Sequence, residues 1–417
     1  MAFTLLFVAV LTIGVVTRLW LASRQIRHVA RHRDAVPEVF AHRISLTSHQ
    51  RAADYTVART RMSIVETVVD AAVLIGLTLL GGLQWLAEWA YTLPGGDIVR
   101  QLALIAAVML VMGAISLPFT LWRQFRLEAR FGFNRMTFGL FVADALKGLA
   151  VGAVLGLPLV AAVLWLMQGA GTLWWIWAWV VWAVFNLAVL WLFPTVIAPL
   201  FNKFTPLADA ELAQRIDGLA KRCGFALNGL FVMDGSRRSA HGNAYFTGLG
   251  KAKRIVFFDT LLSRLNADEI EAVLAHELGH FTHRHILRRI VMSFAISLAF
   301  LALLGWLSQR AWFYTSLGVE PNLMGASDAL ALILFMLVMP VFTFPFTPLA
   351  SWYSRRDEFQ ADAFAASQTD ASRLVSALVK LYDDNAATLT PDPTHSAFYD
   401  SHPPAAVRIG RLNWSLP

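Results

Sequence analysis

The chain has 417 residues, 57% of them hydrophobic and only 15% charged, with a net charge of +7. A soluble domain carries about 25% charged residues, so an ordinary soluble enzyme is excluded and a multi-pass α-helical membrane protein is indicated; the basic balance then belongs to loops facing anionic lipid, not to a nucleic-acid surface. The single cysteine, Cys223, excludes an intramolecular disulfide and a cysteine-ligated metal.

Residues 1–17 carry no positive charge, so the start lacks the cationic region of a cleaved secretory leader and reads as a retained first helix. Seven apolar stretches approach spanning length, at residues 2–22, 64–85, 102–122, 149–167, 173–192, 290–307 and 330–346. Pro340 and Pro345 predict an irregular lower end for the last. The loop after the first stretch holds eight arginines, from Arg24 to Arg61, and the loop after the third holds Arg123, Arg126, Arg130, Arg135 and Lys147. The alternate loops hold Arg100 alone. The positive-inside rule therefore places the N-terminus outside and both basic loops in the cytoplasm, together with residues 193–289 and the tail after residue 346.

Glu66, Asp70, Asp144 and Lys147 stand at the ends of the second and fourth stretches. Charge at that depth is expensive, and the expectation is an interfacial position or an arginine partner. The tryptophans between Trp174 and Trp191 read as lipid-facing and interfacial.

The polar segment 201–289 predicts a small α/β unit. Residues 208–222 are amphipathic, with Leu212, Ile216 and Leu219 on one face and Gly224 as the stop. Residues 229–233 and 254–258 are β-prone, and 243–247 suits an edge strand between them. Asn266 and Glu269 form a capping-box pattern that opens a helix running to about His285.

That helix carries His276-Glu277-Leu278-Gly279-His280. Histidines four apart share a helix face, so both imidazoles reach one Zn²⁺. Glu277 is placed to take a proton from the attacking water. A catalytic zinc takes three protein ligands and leaves a position open. His283 lies about 10 Å along the axis from His276, and His285 points about 140° away from His280 on a continuous helix. Both read as interfacial polar residues, so the third ligand must come from another helix. In the tail, Glu358 and Asp362 are four apart on one predicted helix face. Glu358 is the candidate ligand; Asp362, one turn on, is placed to accept the free N–H of a liganding histidine.

These motifs resemble the type I CAAX prenyl protease family. The resemblance rests on the HELGH run, on Glu358 and Asp362 within Ser354–Ala365, and on Asn243-Ala244-Tyr245-Phe246. It rests also on the strand with Asp259 after it, on Gly132-Phe133-Asn134, and on Ser401-His402-Pro403-Pro404 followed by Arg408. These matches run in the family's order from the third loop to the C-terminal end.

The resemblance implies seven transmembrane helices around a water-filled chamber, capped by a cytoplasmic, α-rich, gluzincin-like zinc metallopeptidase domain with a small β-sheet. It implies one Zn²⁺ and endoproteolysis of prenylated proteins by removal of the C-terminal tripeptide. It assigns Asn243 and Ala244 to substrate backbone binding, His402 to the oxyanion, and Arg408 to the neighbourhood of the substrate.

The expected division is a five-helix membrane domain at 1–200, a metallopeptidase segment at 201–289, two further spans at 290–350, and a tail at 351–417 that completes the peptidase. The partners expected are a peptide or protein substrate and membrane lipid. The short 309–328 loop, the end at Pro417 without an ER-retrieval signal and the arginine-rich loops point to a bacterial inner membrane. Two rival readings remain at this level. One is a quality-control protease without a prenyl requirement; the other is a non-enzymatic multi-pass protein with a structural zinc.

Overall fold

The computed structural model describes residues 1–247, 253–321 and 327–414. Its first part is helical: α1 (Ala2–Arg31), α2 (Leu46–Leu77), α3 (Gly82–Tyr91), α4 (Asp97–Trp122), α5 (Phe138–Gly169) and α6 (Trp174–Leu192). Among the described residues six helices are long and apolar enough to cross a membrane, or seven if α2 and α3 count as one span. The second apolar stretch is therefore not the straight helix its hydropathy suggests: α2 and α3 meet at 52°. The break falls at Gly81, whose φ of +79° suits glycine. Gly82 follows so close to the preceding turn that a Cβ there would lie 2.7 Å from the Gly76 carbonyl oxygen.

The outer faces of these helices are apolar. Val154, Leu110 and Leu149 are each about two-thirds exposed, as side chains with lipid for a solvent can be. Of the charged groups at the helix ends, two have the expected arginine partners, Lys147 has a backbone carbonyl, and Asp70 has no ion pair among the described residues but lines a cavity together with Arg18. Glu66 pairs with Arg123, Asp144 takes two bonds from Arg238 at 2.8 and 3.1 Å, and Lys147 reaches the Leu200 carbonyl at 2.8 Å. The tryptophans of α6 divide. Trp177 and Trp191 face outward, whereas Trp174 is buried and Trp179 donates to the Phe294 carbonyl at 3.0 Å. Part of that aromatic stripe is thus packing against the helix His285–Leu307 (α9 below), not a lipid anchor.

The second part begins with a four-stranded sheet. Its strands are β1 (Phe204–Pro206), β2 (Leu227–Met233), β3 (Ala244–Thr247) and β4 (Lys253–Phe258), in the order β1-β2-β4-β3. β2 and β4 run parallel and the outer strands antiparallel, so β3 is an edge strand. Three-residue β1 is too short for a sequence pattern to reveal. Between β1 and β2, α7 (Ala210–Arg222) buries Leu212, Ile216 and Leu219 and stops at Gly224, φ +77°.

Apart from three helices of four or five residues, at Ala198–Phe201, Asp259–Leu262 and Ala311–Thr315, the remaining ones are α8 (Ala267–Thr282), α9 (His285–Leu307), α10 (Asp328–Thr343), α11 (Thr347–Gln368), α12 (Ala371–Asp384), α13 (Pro393–Tyr399) and α14 (Ala405–Trp414). The predicted capping box is formed: the Asn266 side chain accepts from the Glu269 N–H, and Glu269 accepts from the Asn266 N–H. The helix does not continue to His285. It ends at Thr282, and Arg284 adopts φ +55° before α9 starts. The lower end is irregular at Pro345, where α10 gives way to a short 3-10 turn at Phe344–Phe346 before α11, whereas Pro340 is accommodated inside α10.

One core joins these pieces. Leu274, Ala275 and Leu278 of α8 pack with Ala365, Leu374, Leu378 and Ile409 from the later helices, and with Phe40 and Ile44 from the first basic loop. The other basic loop docks beside it. Gly132, at φ +78°, turns the chain so that Asn134 bridges Ser239 and the Phe133 ring stacks on His241 at 4.3 Å. Both basic loops therefore sit at the same end as the sheet and α8.

Candidate active site

The site forms where α8 crosses α11. The crossing is close because Gly279 faces Ala361; a Cβ at 279 would lie 3.0 Å from the Ala361 Cα. Glu358, on the same face of α11 as Ala361 and Asp362, thereby reaches the histidines of α8. His276 Nε2 and His280 Nε2 are 3.3 Å apart, and each is 3.4 Å from a Glu358 carboxylate oxygen. Among the described residues these three form the group whose donor atoms all lie within 4.8 Å of one another.

That spacing fits a metal. A tetrahedral ion with bonds of about 2.0–2.1 Å holds its ligand atoms about 3.3–3.4 Å apart. Glu358 Oε2 is buried and no donor meets it in hydrogen-bond geometry, although His402 Nδ1 lies 2.8 Å away. A buried carboxylate oxygen left this way is costly unless something positive sits against it.

Both histidines are held from behind. His276 Nδ1 is 2.9 Å from Asp362 Oδ1. Asp362 in turn takes two bonds from the buried Arg408, from Nε at 2.8 Å and Nη2 at 2.5 Å. Arg408, expected near the substrate, is thus committed to Asp362. His280 Nδ1 is 2.9 Å from His285 Nδ1, and His285 Nε2 is 2.8 Å from Gln360 Oε1. His285 is almost wholly buried, not the interfacial residue expected. The expectation assumed a continuous helix; the break at Arg284 swings His285 back under His280. His283, by contrast, stacks on His285 with ring centroids 5.5 Å apart and caps α8.

Burial opposes a charge on His276, but Asp362 and Glu358 outweigh it and raise its pKa to about 9. Burial and the neighbouring His276 push His280 down to about 4. Burial raises the Glu277 carboxyl above its ordinary value, and Glu358 adds to this. Glu277 forms no ion pair among the described residues, so its oxygens are available to a proton.

His402 is mostly exposed, at 63% of its side chain, and lines a cavity of about 900 Å³ that Asn243 also lines. Asn243 precedes β3, whose residues pair with β4 on one side, Ala244 with Phe257 and Tyr245 with Val256. Of the predicted residues, His402 and Asn243 line this cavity, and His402 Nδ1, 2.8 Å from Glu358 Oε2, connects it to the metal candidates. Sequence reasoning missed His285 and Gln360. Only the Arg284 turn, which carries no glycine signal, brings them in.

Two family models cover the chain: the CAAX prenyl protease N-terminal region with five membrane helices, over residues 25–203, and peptidase family M48, over residues 206–414. The chain is 35% identical to the CAAX prenyl protease 1 homolog of Arabidopsis thaliana over 91% of its length and 90% of the relative's. It is 31% identical to the Homo sapiens homolog over 98% and 95%. It is also similar to the crystal structure of S. mikatae Ste24p, with a TM-score of 0.92 and 30% identity over 98% of this chain and 99% of that one.

Proposed function

This chain belongs to peptidase family M48 and to the CAAX prenyl proteases, and on that footing we propose that it removes the C-terminal tripeptide of prenylated proteins at a site built on His276, His280 and Glu358. It is an integral-membrane metalloendopeptidase. We assign its metal as one Zn²⁺. The observation that carries this is the 3.3–3.4 Å spacing of three side-chain donors around one point. Bound there, zinc supplies an acidified water and a polarised carbonyl.

The chain's own residues supply the rest. Glu277 takes the proton of the attacking water and returns it to the leaving amine as the C–N bond breaks. His402, at the rim, donates to the oxyanion. Asp362 fixes His276 with its Nε2 turned to the metal, and Arg408 holds Asp362 in place. Asn243 and Ala244 offer backbone groups to an extended substrate laid along the free edge of β3. The basic loops lie at the peptidase end, which supports an orientation with the active site toward the cytoplasm and the N-terminus outside. The short 309–328 connection supports placement in a bacterial inner membrane.

The test is a matched pair of CAAX peptides, one farnesylated and one bare, offered to the purified full chain. Cleavage of the farnesylated peptide alone supports the proposal. Equal cleavage of both favours a protease without a prenyl requirement.

A further inference from the structure

We propose that the cavity beside His402 contains a carboxylate-binding subsite centred on Arg59, which reads the free C-terminus of the substrate. This rests on the peptidase reading above and deepens it.

The cavity is lined from the catalytic end by Asn243 and His402 and from α2 by Tyr55 and Arg59. Its volume of about 900 Å³ lies within the ~300–1,000 Å³ range of ligand pockets. Arg59 is exposed to it, with its guanidinium 5.5 Å from the Tyr55 ring centre. Some arginines nearby have acid partners, Arg24 with Asp392, Arg33 with Asp54, Arg123 with Glu66 and Arg238 with Asp144; Arg51 instead bonds the Phe131 carbonyl, and Arg59 interacts with the Tyr55 side chain. Arg59 has no ion pair among the described residues. Glu128, whose field it feels, is already held by the Tyr55 hydroxyl at 2.6 Å and by His241 Nε2 at 3.4 Å. Asp400 is the one acid among the described lining residues, against Arg59 and three histidines.

A cation so placed suits one part of the substrate. Segment 239–243 leads from the cavity wall into β3, so a chain laid along the edge strand and running past Asn243 enters the cavity. Three extended residues span about 10 Å, and they end in a carboxylate. A guanidinium binds that group through two parallel N–H···O bonds, a geometry an ammonium does not reproduce. The distance from the scissile bond to Arg59 then acts as a ruler that sets how far from the C-terminus the cut falls.

The experiment compares kcat/KM for one farnesylated peptide carrying a C-terminal acid with that for its C-terminal amide, using the full chain and its Arg59→Gln and Arg59→Lys variants. The within-variant ratio cancels any loss of folded protein. The wild-type chain is expected to prefer the acid by about tenfold or more, as charge-assisted pairing allows. The ratio falls to about one in Arg59→Gln and recovers in part in Arg59→Lys. Equal use of acid and amide by the wild-type chain, or a preference that survives in Arg59→Gln, overturns the subsite alone. Cleavage of neither peptide overturns the peptidase reading on which it stands.

Discussion

Gly279 on α8 and Ala361 on α11 lie so close that any side chain at 279 would meet the partner helix: its Cβ would stand 3.0 Å from the Ala361 Cα and 3.2 Å from the Ala361 carbonyl oxygen. That closeness is what lets Glu358, one turn before Asp362, reach the two histidines.

Gly279→Ala therefore acts on the metal site more than on the fold. Overpacking costs about 1–3 kcal/mol, while replacing glycine inside a helix returns about 1 kcal/mol. The two nearly offset, so thermal stability changes little. The helices separate by a few tenths of an ångström, and zinc affinity falls about tenfold. Chelator competition alongside a thermal melt reads both; unchanged affinity would show that the contact does not position Glu358.

Arg408→Ala leaves Asp362 buried beside His276 without its cation. Supporting groups of this kind are worth about 10–100-fold in metal affinity or activity. Zinc competition should place Arg408→Ala and Asp362→Asn in that range. If Arg408→Ala instead raised KM with zinc affinity intact, the residue would face the substrate, as the sequence resemblance first implied.

Zinc loading should release one proton near neutral pH. His276 in the metal-free chain titrates at about 9, raised by Asp362 and Glu358 against its burial, so it is protonated below that pH. His280, at about 4, is already neutral. Zinc binds the neutral imidazole, so apparent affinity falls about tenfold per pH unit lost below 9. Calorimetry in buffers of different ionisation enthalpy counts the protons. Release of no proton below pH 7 would contradict the charge assigned to His276.

His285→Ala removes the ring that meets His280 Nδ1 at 2.9 Å. The expected result is a zinc affinity weakened by about tenfold with the melting temperature nearly kept. An unaltered affinity would make His285 a packing residue only.

Much of the site was legible because it is written in local periodicity. His276 and His280, and Glu358 and Asp362, are pairs at helical spacing. Asn266 and Glu269 mark the start of α8, and Asn243–Thr247 has the look of an edge. What stayed hidden depends on where chains turn. Arg284 reverses the backbone without a glycine to announce it, and so His285 passed for an interfacial residue. The Gly81–Gly82 break made one apolar stretch into two helices. Phe40 and Ile44 enter the peptidase core from a loop that reads as basic and solvated. The buried place of Arg408 follows from α14 packing under α11, a contact between distant segments that no short-range pattern encodes.

The central claim, that Glu277 moves the proton at a zinc held by His276, His280 and Glu358, is tested most directly by Glu277→Gln assayed on a farnesylated CAAX peptide with zinc content measured on the same sample. The amide keeps the shape and cannot accept the proton. The account predicts full zinc occupancy and turnover reduced about 10²–10⁴-fold; a zinc-loaded Glu277→Gln chain that cleaves at the wild-type rate would contradict it.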